Sequence, residues 1–206
     1  MDKSEIDQQW INIFDKDILK DSVQIIAMYI TIYELLEDTI ITKPKDFFTV
    51  IENDERAKEQ YEQHVLSLYD KNACPGISTK NKDLIASLIW FRNSGAINDS
   101  DIRVFAELRN LRNELVHKMA HAIANGGARI ATQFAQLYEL FCKIEKWWVI
   151  EIEVPISADI PPEKEIDEKG VMSGNMILID VIRNILADDS NIRYKEICDA
   201  LGITPQ

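Results

Sequence analysis

Six polar side chains crowd one short stretch of the chain: Arg109, Arg112, Asn113, His117, Lys118 and His121. On a helix, Asn113, His117 and His121 stand four residues apart and share a face, while Arg112 lies beside them with a side chain long enough to reach the same small volume. An arginine, an amide and a histidine brought together suit a phosphate. The planar guanidinium fork engages two phosphate oxygens at once, and an imidazole exchanges protons near neutral pH. Two other readings of the same residues stand beside this one. Arg112 and His117 can make ordinary helix-surface ion pairs, with Glu107 or Glu114 as partners and Asn113 as a packing amide. His117 and His121, with Glu114 before them, also have the four-residue spacing of metal ligands. The HExxH arrangement is missing and His64 is the only other histidine, so neither a metal nor another cofactor is expected.

Arg112 followed after four residues by His117, with the polar Asn113 directly after the arginine, resembles the R-x4-6-H motif of HEPN domains. The resemblance covers roughly residues 20–148 and implies a helical bundle that cuts RNA without a metal, the ribose 2'-hydroxyl attacking the adjacent phosphate. It further implies a homodimer in which two motifs face each other across a cleft, and a role in bacterial toxin–antitoxin, abortive-infection or phage-defence systems. In those terms the catalytic set is Arg112, His117 and Asn113, with Arg112 stabilising the phosphate, His117 moving protons or orienting the scissile group, and Asn113 positioning both. Arg109, Lys118 and His121 are the flanking RNA-binding residues. HEPN toxins paired with a nucleotidyltransferase antitoxin often carry a tyrosine two residues after the histidine, where this chain has Met119, so silencing by that route is not expected. A catalytically silent HEPN module that binds a nucleotide or a protein, as scaffold, sensor or antitoxin, is the competing expectation.

The chain of 206 residues carries a formal charge of −12, which opposes binding to long duplexes because phosphate binding relies on Lys and Arg displacing counterions. The charge is uneven. Lys80 to Arg129 holds eight basic and five acidic residues, a local +3, so the rest of the chain carries −15. An acidic body with one basic segment is compatible with a small, local phosphate contact. With 46% apolar and 28% charged residues the composition is that of a globular domain. Cys74, Cys142 and Cys198 are odd in number and widely spaced, which speaks against a disulfide framework and for a reducing cytoplasm. The start, Met1-Asp2-Lys3-Ser4-Glu5, lacks the basic and apolar regions of a signal peptide. Val23 to Ile41, the most apolar stretch, is interrupted by Glu34, Glu37 and Asp38 and is a core helix rather than a membrane span.

The elements that must position the site read as an all-α antiparallel helical bundle over residues 1–150, an acidic linker or irregular segment over 151–172, and a small C-terminal helical extension over 173–206. Residues 22–41 form a long buried helix with Ser22 as N-cap, preceded by a shorter helix around Asp7 to Lys20 and ended by Lys43-Pro44-Lys45. Asp54 to Tyr69 is a surface helix with Tyr61, Val65 and Leu68 on one stripe. Asp83 to Ala96 is a core helix closed by Gly95, and Asn98-Asp99-Ser100-Asp101 offers N-caps for a helix running to about Ala124, with Ile102, Phe105, Leu108, Leu111, Leu115 and Met119 buried and Gly126-Gly127 as its stop. Ala128 to Trp148 is the last long helix, where Trp147-Trp148 reads either as a core closure or as a stacking platform for bases. Val149 to Ile156 alternates weakly like a strand. Ala158 to Gly170, with five carboxylates in thirteen residues, is a solvated connector, and two short helices near Asn175–Ala187 and Arg193–Leu201 finish the chain.

Overall fold

The computed structural model describes residues 3–49, 55–125, 130–157 and 167–186, and among them there is no strand. The order is α1 (Lys3–Phe14), α2 (Lys16–Thr49), α3 (Glu55–His64) with a 3-10 turn at Leu66–Leu68, α4 (Lys82–Asn93), α5 (Asp99–His117), α6 (Met119–Ala124), α7 (Ile130–Trp148), a π turn at Val149–Glu153 that leads into α8 (Val154–Ile156), and α9 (Gly174–Leu186). The all-α expectation holds. Gly126-Gly127 and the expected helix at Arg193–Leu201 lie outside the described residues. Among those described, no helix is long and apolar enough to cross a membrane.

Side chains set most of the helix boundaries. Asp15 Oδ1 accepts from the backbone N–H of Asp17 and Ile18 at 2.9 and 3.0 Å, so Asp15 separates α1 from α2 and caps the second. The expected cap Ser22 is instead interior to α2 and fully buried. α4 ends in a Schellman turn: Ala96 N–H donates to Phe91 O, Gly95 N–H donates to Arg92 O, and Gly95 takes φ +83°, a conformation that glycine adopts without a Cβ penalty. α5 then opens with a reciprocal capping box. Asn98 Oδ1 accepts from the N–H groups of Ser100 and Asp101, and Asp101 Oδ2 accepts from Asn98 N–H at 2.7 Å. Ser173 caps α9 through Met176 N–H.

Two further expectations, about the end of α2 and the segment after α7, fail for physical reasons. α2 does not stop at Lys43-Pro44 but carries Pro44 inside it and continues to Thr49. Pro44 has no N–H for the Ile40 carbonyl, a loss of about 3 kcal/mol in a helix interior. Packing of the last turns outweighs it: Phe47 meets Trp148 edge-on at 6.1 Å, and Phe48 meets Trp90 at 6.4 Å. The Val149–Ile156 segment, in turn, is helical. Continuing from α7 satisfies its backbone groups internally, whereas a strand needs a partner to do so.

The chain packs as two units. The first comprises Met1–Tyr33, Leu108–Cys142 and Met172–Gln206, the second Glu34–Glu107 and Lys143–Val171. In the first, Tyr29 of α2 packs on Phe134 of α7, and Ile26, Leu115, Leu137 and Ile179 are also buried. In the second, Trp147 and Trp148 join Phe47, Phe48, Trp90 and Phe91 in one aromatic cluster, so this pair closes a core. Beside the cluster the carboxylate of Glu145 has no exposed surface. It accepts from Thr39 Oγ1 at 3.1 Å and from Lys43 Nζ at 2.9 Å, and Lys43 also lies 5.3 Å from the Trp148 ring centroid. The successive pairs Thr39–Glu145, Lys43–Glu145 and Phe47–Trp148 make α2 and α7 run parallel within this unit.

Restoring the missing donor by Pro44→Ala is expected to raise the free energy of unfolding by about 1–2 kcal/mol in urea titration, the helix gain being partly offset by a more flexible unfolded chain. Lys43→Met takes a charge partner from a buried carboxylate and is expected to cost about 3 kcal/mol. Adding Glu145→Leu to Lys43→Met is expected to recover at least half of that loss, because an apolar pair of similar volume has no desolvation penalty.

Candidate functional site

α5 changes character along its length. Ile102, Phe105 and Ala106 are buried, and the same stripe continues at three- and four-residue steps as Arg109, Arg112, Asn113 and Val116. From Leu108 onward, however, the buried positions are Leu108 and Leu115. Arg109, Arg112 and Asn113 are left half-buried, with Val116 and His117 exposed. A stripe that is core in its first two turns therefore turns into a polar, partly covered ridge in its last three.

The backbone beneath this ridge is held by Tyr29, whose fully buried hydroxyl donates to the Leu108 carbonyl at 3.0 Å. That bond fixes α5 directly before Arg109. Burial pushes the Tyr29 phenol far above the usual tyrosine value. Above the bond, Arg112 Nη1 donates to Asn113 Oδ1 at 3.1 Å, so arginine and amide are joined. His117 is the last residue of α5 and is exposed.

The helix then breaks. Lys118 takes φ −127°, ψ 36°, and α6 starts at Met119. Asn113 and His117 share a face as expected, but the line does not extend to His121, which belongs to a separate helix. There it lies 3.1 Å from the Asn125 amide nitrogen, and Asn125 Oδ1 in turn accepts from Gln9 of α1 at 3.1 Å. Met119, expected on the buried face, is exposed, because the break turns it away from the line of Leu108 and Leu115. The sequence-derived set thus divides. Arg109, Arg112, Asn113 and His117 occupy one helix, Lys118 sits at the break, and His121 joins a polar network with α1. Tyr29 was not legible as a site-supporting residue, although a tyrosine on a buried stripe needs a hydrogen-bond partner and so signals some contact of this kind.

Among the described residues no three His, Cys, Asp or Glu side chains gather as metal ligands would. Comparison of the chain with protein-family models, with curated proteins and with solved structures finds no match.

Tyr29→Phe is expected to cost about 1 kcal/mol in urea unfolding at neutral pH, the net worth of one buried hydrogen bond. The pH dependence has a defined sign. A phenol whose folded pKa is raised contributes its stability fully below its unfolded value near 10 and loses it as pH rises further. Wild type is expected to lose stability above pH 10 more steeply than Tyr29→Phe, measured by thermal unfolding across an alkaline series.

Proposed function

We propose that this chain is a metal-independent endoribonuclease of the HEPN type that works as a homodimer, with Arg112 and His117 at its centre. The observation that carries the reading is the joining of Arg112 to Asn113 on a half-buried polar ridge that ends, five residues on, at the exposed His117. Those residues fit a 2'-hydroxyl attack. The 2'-oxygen bonds to phosphorus, the bond from phosphorus to the 5'-oxygen breaks, and the products are a 2',3'-cyclic phosphate and a 5'-hydroxyl. His117 takes the proton from the 2'-hydroxyl or delivers one to the departing 5'-oxygen, with water exchanging the proton at the other oxygen, Arg112 neutralises the charge that builds on the phosphoryl oxygens, and Asn113 holds the guanidinium fork in position. Proton transfer from a placed group is worth about 10²–10⁴ in rate, and charge stabilisation a similar factor.

Arg109 and Lys118 flank the ridge as phosphate contacts, with His121 further along on α6. The net charge of −12 limits that contact to a short stretch of RNA. A cytoplasmic toxin or phage-defence effector restrained by an antitoxin or other regulatory protein is the setting that the motif suggests, and Met119 offers no hydroxyl for modification. One observation favours the second reading, a silent nucleotide- or protein-binding module: Arg112 is half-buried and bonded within its own helix, as a structural arginine is.

Purified protein incubated with structured RNA in EDTA is expected to produce fragments ending in 2',3'-cyclic phosphate, with the rate falling by roughly 100-fold or more in Arg112→Ala and in His117→Ala. Absence of cleavage by wild type, or equal cleavage by all three proteins, sinks the nuclease and leaves the silent module.

A further inference from the structure

α1 is amphipathic in the wrong sense for an isolated molecule. Its polar edge faces the protein: Asn12 is buried and donates to Ala124 O of α6 at 2.8 Å, and Gln9, half-buried, donates to Asn125. Its apolar edge faces outward. Ile6, Trp10 and Phe14, four residues apart, are exposed together with Ile11, Trp10 at 54% and Phe14 at 77%. The two rings stack at 5.6 Å with planes 16° apart. Surface helices ordinarily bury the apolar stripe, so this face is built to be covered.

We propose that a second copy of this chain covers it, the two α1 helices meeting antiparallel about a two-fold axis at Trp10. The charges select that occupant. Gln8 to Phe14 is a seven-residue run without a charge in a chain of net −12, and a like-charged copy can approach closely only through such a run. A cationic partner would gain from carboxylates within the patch, where there are none. An anionic membrane or a nucleic acid would be repelled by Asp7 and Asp15 at its borders.

The stripe is also self-complementary in size, as a two-fold contact requires. With Trp10 on the axis, Phe14 of each copy meets Ile6 of the other, large against small. Two aromatics, each worth about 150–250 Å² when covered, together with Ile6 and Ile11 supply on the order of half of the roughly 800 Å² that each partner contributes to a stable interface. The remainder is the polar rim that surrounds such centres.

This inference rests on the two-copy part of the nuclease reading and not on its chemistry. Sedimentation velocity of the full chain over a concentration series tests it. Wild type is expected at twice the chain mass of 23.7 kDa, with Trp10→Glu and Phe14→Gln each weakening self-association by roughly 30-fold or more while far-UV circular dichroism stays unchanged. Wild type that remains a single chain throughout, or a dimer that neither substitution weakens by as much as about threefold, overturns it. RNA cleavage measured on the same samples separates the two failures, since Arg112→Ala abolishes cleavage without changing the sedimenting mass, whereas Trp10→Glu changes the mass first.

Discussion

A carboxylate with no exposed surface has to be met by donors, and Glu145 is met by two residues one turn apart on α2, Thr39 and Lys43. Desolvating such a group costs several kcal/mol unless the geometry of its partners is good, so the contact tolerates little sliding of α2 against α7 within their unit. Trp148, three residues beyond Glu145, then stands over Lys43 and against Phe47. α2 must stay helical past Pro44 to bring Phe47 and Phe48 there. The stripe that carries Lys43 runs back along the same rod through Ile40, Leu36 and Tyr33 to Tyr29, all fully or nearly fully buried.

This dependence explains where the fold was legible in the sequence. Long apolar stripes with three- and four-residue steps identified α2, α4, α5 and α7 and their buried faces, because each stripe is a local property of its own segment. Boundaries set by local side chains were legible in part. The Asn98–Asp101 box and Gly95 stand out in the sequence, whereas the cap at Asp15 does not, and Ser22 packs instead of capping. The end of α2 was misplaced because proline's penalty is local while its compensation is tertiary: the rings that outweigh it come from α4 and α7, far off in sequence. The Val149–Ile156 alternation misled for the opposite reason, being too short for a period of two to be told from one edge of a continuing helix.

The candidate site was legible in composition and less so in geometry. Arg112 and Asn113 do meet, and His117 follows on the same face. The separation of His121 was not legible, since the break at Lys118 is marked by neither glycine nor proline and nothing in Val116-His117-Lys118-Met119 disfavours helix. Where a helix ends without a sequence signal, packing around it decides, as with α6, whose last carbonyl is taken by the buried Asn12 of α1. The break also decides the position of His117. It leaves His117 as the exposed terminal residue of α5 rather than in the middle of a continuous helix.

Placing arginines on a stripe that begins as core is costly unless something is gained, because half-buried guanidinium groups lose water that they then have to replace. Leu108 and Leu115 could have kept that face apolar by continuing it, yet burial rotates away to them and leaves Arg109, Arg112 and Asn113 in partial cover. The same inversion occurs on α1, where polar residues face inward and Trp10 and Phe14 outward. Both helices contribute to one unit, and there two surfaces run against the usual segregation of polar and apolar groups, one a half-buried polar ridge and the other an uncharged apolar edge. In a chain of net −12, long-range attraction to phosphate is unfavourable. A half-buried arginine joined to an amide is a short-range, partly desolvated group of donors, unlike a fully solvated lysine patch.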